Sequence, residues 1–208
     1  MSQKVIGFVD GENMIFRFQD MVKDGAIKNK DVVHEENLLV WHPKITEEFF
    51  ADFARISYYQ TFVGDHNALD NARKKICETS YTYAESDKIK GTGYLQPRVF
   101  KKEGRTAKSK SVDINLTVDM MRHSYDRNFD TLLIIGGDGD YLPLIEEVAR
   151  HGKQVWLAAF SKGLSPLLKY SADQFIDLDK IFFRQPAKPR VLRKPVAPSK
   201  NNVAISKE

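Results

Sequence analysis

One cysteine in 208 residues leaves no pair from which an internal disulfide could form. Cys77 therefore reads as an inert packed thiol, and the chain suits a reducing, cytoplasmic setting. No window approaches the ~18 consecutive apolar residues that a bilayer crossing requires, so no membrane association is expected. The opening MSQKVIGFVD has neither the charged flank nor the long apolar stretch of a signal peptide. Zinc spacing is missing as well: His34, His42, His66, His123 and His151 are scattered and have only one cysteine to join them. No glycine-rich loop ends in Gly-Lys-Ser/Thr, which removes a nucleotide P-loop, and "GGDGD" does not match the dinucleotide fingerprint.

What is present is enough for one buried core. Hydrophobic residues make up 42% of the chain, and its length does not demand a second domain. The net charge of +4 is unevenly placed. Arg184, Lys188, Arg190, Arg193, Lys194, Lys200 and Lys207 face only Glu208, so residues 184–208 carry about +6 and residues 1–183 about −2. With four prolines and few apolar residues, 184–208 is expected to be a disordered basic tail behind a single domain over 1–183. A second basic cluster lies inside the body: Arg98, Lys101, Lys102, Arg105, Lys108 and Lys110, offset only by Glu103.

Periodicity predicts strands over 4–9, 55–63, 94–101, 131–135, 154–159 and 175–178. It predicts helices over 11–23, 65–78, 112–123, 141–150 and 164–170. Residues 25–50 read as an insertion with one short helix after Pro43, and 102–111 as a flexible basic loop. Strands alternating with helices on short connections argue for an α/β fold with a mainly parallel sheet covered on both faces.

The isolated acids fall at strand ends and helix starts. Asp10 follows the first strand, and Asp138 follows the strand at 131–135 after two glycines. In an open parallel sheet ligands bind outside the carboxyl ends of the strands. Asp113 sits at the start of the helix over 112–123, where the helix dipole favours a carboxylate. Each acid has an ordinary explanation as a cap or turn residue. Capping after Gly137 needs only one acid, however, and the sequence supplies both Asp138 and Asp140. Clustered carboxylates without cationic partners raise each other's pKa, and a bound cation resolves the repulsion. Oxygen ligands favour Mg²⁺ or Mn²⁺, with Ca²⁺ as a further candidate. An EF-hand loop from Asp138 would need a glutamate where Ala149 stands.

With these acids in view, the chain resembles the NYN domain family, LabA-like branch, of the PIN-like nuclease superfamily. The blocks that carry the resemblance are "FVDGENM" (8–14), "KSVDINLTVDMM" (110–121), "DTLLIIGGDGDYLPLI" (130–145), "GKQVWLAAF" (152–160) and "LKYSADQFIDLD" (168–179). They occur in the family's order over most of 4–180. The resemblance implies a PIN-like α/β/α sandwich and a metal-dependent nuclease, usually acting on RNA. It carries the acidic catalytic and metal-holding roles onto Asp10, Asp113, Asp138 and Asp140. It aligns Asn13 with the family's polar residue one turn after the first acid, and Lys110 with the lysine before the "VD" pair. Ser111 stands where the family often has glycine.

The expectation is an endoribonuclease that hydrolyses single-stranded RNA with Mg²⁺ or Mn²⁺. Asn13 would orient a ligand, and Lys110, Lys108, Arg105, Lys102 and Lys101 would meet the phosphates. A non-catalytic module that binds RNA or protein is the main rival, because the body lacks a broad basic face. A small-phosphoester phosphatase is the third reading, weakened by the absence of the Asp-x-Asp-x-Thr/Val pattern. A homodimer, and a protein partner engaging the tail or the 25–50 segment, are left open.

Overall fold

The structure, a computed structural model, describes residues 3–84, 90–102 and 111–184. Arg105, Lys108, Lys110 and the expected tail beyond Arg184 lie outside the described residues. In chain order the elements are β1 (Lys4–Asp10), α1 (Gly11–Lys23), β2 (Val33–Glu35), β3 (Leu39–Trp41), a 3-10 turn (Ile45–Phe49) and β4 (Asp52–Phe62). Next come α2 (His66–Cys77), β5 (Ser80–Ala84), β6 (Lys90–Tyr94), β7 (Gln96–Lys101) and α3 (Ser111–Ser124). The chain continues with β8 (Thr131–Ile135), a 3-10 turn (Gly139–Tyr141), α4 (Leu142–Arg150), β9 (Gln154–Ala159), α5 (Pro166–Ser171), β10 (Gln174–Asp177) and α6 (Asp179–Phe182).

Six strands form one parallel sheet in the order β10-β9-β8-β1-β4-β7. The apolar runs of its central strands are buried on both faces, as a parallel sheet between helices requires. Alternation then sorts the side chains. Val5 and Val9 of β1, Leu133 and Ile135 of β8, and Trp156 and Ala158 of β9 join a core with Met14, Ile15 and Phe18 of α1 and Leu69, Ala72 and Ile76 of α2. Ile6, Phe8, Leu132, Ile134, Val155 and Leu157 join the opposite core with Val112, Leu116 and Met120 of α3, Leu144, Ile145 and Val148 of α4, and Leu168 of α5. This is the α/β sandwich expected from the pattern.

The segment expected to be an insertion is part of the first core. Val32, Leu39, Val40, Trp41, Ile45 and Phe49 are buried there. The Trp41 indole N–H donates to the Ser80 carbonyl at 3.0 Å, and Phe49 stacks on Trp156 with centroids 5.0 Å apart. The helix expected after Pro43 is a single 3-10 turn, and a β2–β3 hairpin precedes it. The strand expected over 94–101 begins at Gln96, because Tyr94 pairs with Ser80 in a β5–β6 hairpin. The strand expected from Arg55 starts at Asp52, where it pairs with Lys4. At the end of the described chain the Arg184 N–H donates to the Ile27 carbonyl at 2.8 Å.

Candidate active site

β1 has β4 on one side and β8 on the other, so its carboxyl end is where the chain's strand order reverses. Crevices for ligands form at such a switch point. Asp10 is the last residue of β1, and alternation turns its side chain toward α3 and α4. It also caps α1: Asp10 Oδ1 accepts from the Asn13 backbone N–H at 2.9 Å. Gly11 is required at the next position, since a Cβ there would come within 2.5 Å of the Tyr58 ring and 2.6 Å of the Tyr59 carbonyl.

Asp10 is only 3% exposed. The Tyr141 hydroxyl, from the turn before α4, lies 2.9 Å from Asp10 Oδ2 and 3.2 Å from Asp113 Oδ1. One phenol thus joins two carboxyl groups that come from segments 103 residues apart in the chain numbering. Burial pushes the Asp10 carboxyl from 3.8 up to about 7; the Asn13 and Tyr141 hydrogen bonds pull it down, and the negative charges of Asp113 and Glu12 push it further up. Burial, then the charge of Asp10 and Asp113, holds the Tyr141 hydroxyl far above the ordinary phenol range. Tyr141 therefore stays a neutral donor. It has one proton for two acceptors, so a proton retained on a carboxyl group is what allows both contacts to be hydrogen bonds.

Asn13 Oδ1 accepts from the Gly137 N–H at 3.0 Å, tying α1 to the loop after β8. The two glycines there have a steric reason. A Cβ at Gly136 would lie 3.1 Å from Asp10 Cβ, and one at Gly137 would lie 3.3 Å from Leu164 Cα. Asp138 is half-buried and caps the following turn, accepting from the Asp140 N–H at 3.1 Å. Asp140 itself is exposed.

Asp10, Asn13, Asp113 and Asp138 line one cavity of about 860 Å³, together with Glu12, Phe16, Arg17, Gln60, Thr61 and Lys102. Thr61 Oγ1 donates to Glu12 Oε1. Asp140 and Lys101 are not in that lining; Lys101 is exposed at the end of β7. Of the predicted site residues, the structure brings Asp10, Asp113, Asp138, Asn13 and Lys102 to one cavity. Tyr141 and Glu12 were not predicted. Tyr141 gives no signal beyond following the acids, and Glu12 stands beside Asp10 in "FVDGEN".

Among the described residues no group of three or more His, Cys, Asp or Glu side chains is arranged to hold a metal ion. The donor chemistry nevertheless fits a hard cation. Every oxygen is a carboxylate, amide or hydroxyl, and no cation of the described residues is among the groups that set the buried Asp10 carboxyl.

A model of the NYN domain matches residues 4–179. Among curated proteins, an uncharacterized protein of Methanocaldococcus jannaschii is 31% identical over 71 residues, 34% of this chain and 30% of that protein. The match thus spans less than a third of the relative's own length. Among solved structures, a protein of unknown function from Vibrio parahaemolyticus aligns with a TM-score of 0.55 at 16% identity, covering 88% of this chain and 97% of that one. At that identity the likeness speaks for the fold alone. No helix among the described residues is long and apolar enough to cross a membrane.

Proposed function

Since the chain belongs to the NYN domain family, a PIN-like group whose members are typically nucleases, we propose that it is a metal-dependent endoribonuclease of the LabA-like branch, cutting single-stranded RNA in the cytoplasm. The observation that carries this is the pair Asp10 and Asp113, held on one hydroxyl at the switch point of the sheet. Asp10, Asp113 and Asp138 would hold Mg²⁺ or Mn²⁺, which supplies activation of the attacking water and stabilisation of the leaving oxygen.

The chain's own residues set the stage for that chemistry. Tyr141 fixes the Asp10 and Asp113 carboxyl groups against each other. Asn13 holds the loop that presents Asp138, and Asp140 supports it from outside through its N–H. Lys102, on the cavity wall, and Lys101 beside it meet the phosphates; Lys110, Lys108 and Arg105 extend the same basic stretch in sequence.

The test is cleavage of single-stranded RNA in Mn²⁺ by the wild-type chain, with a chelator as control. Asp10→Asn and Asp113→Asn are each expected to abolish turnover while the fold persists. Cleavage that survives Asp10→Asn would place the activity elsewhere. A wild-type chain that binds varied RNA and DNA but cuts none would be a non-catalytic binding module.

A further inference from the structure

The outward rows of α1 carry the cavity away from the acids. Glu12, Phe16 and Gln19 lie on one row at helical spacing, and Asn13 and Arg17 on the next; all five line the cavity. Phe16 is 60% exposed on a helix whose Met14, Ile15 and Phe18 are buried. It is six residues beyond Asp10, about 9 Å along a helix axis. The guanidinium of Arg17 lies 5.2 Å from the centre of the Phe16 ring. Arg17 Nε is the only buried side-chain nitrogen or oxygen without a hydrogen-bond partner among the described residues.

An aromatic face beside a phosphate-processing site has a specific use. Bases of single-stranded nucleic acid stack on such rings with little regard to sequence, because every base has a π-face. Away from Lys102, the wall suits an uncharged ring better than a phosphate. Glu12 and Glu36 line it, while Val63, 41% exposed, and Phe62 add apolar surface. The volume, about 860 Å³, leaves room for a base and its sugar beyond the acids.

We infer that Phe16 is the stacking platform for one base of a single-stranded nucleic acid, the nucleotide adjoining the phosphate placed at the acid cluster, with Arg17 flanking the ring. The inference rests on the nuclease reading only for where that phosphate sits. Stacking on Phe16 positions the strand and takes no part in bond breaking. The subsite therefore binds by shape and surface and discriminates weakly among bases.

The test uses short single-stranded RNAs with a fluorescent adenine analogue at successive positions, whose emission is quenched by stacking. Binding is measured in Mn²⁺ with the full chain carrying Asp10→Asn. One position should be quenched. Phe16→Ala added to that chain should abolish the quenching and weaken binding about tenfold, whereas Phe16→Tyr should preserve both. In the otherwise wild-type chain, Phe16→Ala should raise KM more than it lowers kcat. Equal binding and quenching with Phe16 or alanine would overturn the inference, as would failure of every oligonucleotide to bind. Phe16-dependent quenching in a protein whose wild type cuts nothing would leave the base subsite standing and remove the nuclease reading instead.

Discussion

The Tyr141 hydroxyl stands 2.9 Å from Asp10 Oδ2, and this one contact joins the turn before α4 to the end of β1. Tyr141→Phe removes the donor while keeping the packed ring. The variant is expected to lose roughly 10- to 100-fold in Mn²⁺ affinity or kcat, as loss of a ligand-orienting partner does. Parallel calorimetry and single-turnover cleavage check this. An unchanged affinity and kcat would make the phenol a packing group only.

Asp10 ties stability to pH in the metal-free protein. Its folded pKa is about 7 against an ordinary 3.8. A raised carboxyl pKa means that the folded state keeps a proton the unfolded state has already released. Stability is therefore highest at low pH with respect to this group, and falls as pH rises from about 4 to about 7. The loss is about 4 kcal/mol at most. Asp10→Asn should flatten that slope and raise the midpoint of metal-free denaturation at pH 7. An amide can still cap α1, and it can donate to the Tyr141 oxygen while the phenol donates to Asp113. Denaturant titrations across this pH window, in chelator, give the comparison.

Asp138 and Asp140 should separate on Mn²⁺ titration. Asp138 lines the cavity and Asp140 does not, so Asp138→Asn should weaken the site strongly and Asp140→Asn only mildly. Binding at neutral pH should also release protons, since Asp10 must ionise to act as a ligand. Calorimetry in buffers of different ionisation enthalpy reads that release. Equal affinity in wild type and Asp138→Asn would remove the metal site.

A chain ending at Arg184 keeps the hydrogen bond to the Ile27 carbonyl and drops the basic residues that follow. Its thermal midpoint should match that of the full chain, while its affinity for polyanions at low salt falls and becomes less salt-dependent. A large drop in midpoint would show that the removed residues pack on the body.

Much of this architecture was readable from local pattern. β1, β8 and β9 are apolar runs between turn signals, and α1, α2 and α4 have apolar residues at helical spacing. The hairpins escaped for a physical reason. Three residues each in β2 and β3 are too few to show a period. In β5–β6 the pairing places Tyr81 opposite Gly93 and Tyr83 opposite Gly91. Bare glycines carry no strand signal of their own, yet each is covered by a tyrosine ring; a Cβ at Gly91 would lie 2.2 Å from Tyr83 Cζ. The same limit holds at the site. The positions of Asp10 and Asp138 followed from strand ends, and that of Asp113 from a helix start. Nothing in sequence spacing could show that Tyr141 would reach two acids from different segments, or that Phe16 would face their cavity.

The pairing of β1 with β8, Val5 against Thr131 through Val9 against Ile135, has a consequence for the order in which this molecule comes into being. Asp10 leaves the ribosome before Asp138, which follows more than a hundred residues later. Until β8 docks, Asp10 has no Gly137 loop beside it and no Tyr141 above it. Such distant contacts are slow to form. The candidate site therefore cannot assemble until synthesis has passed β8 and the turn that carries Tyr141.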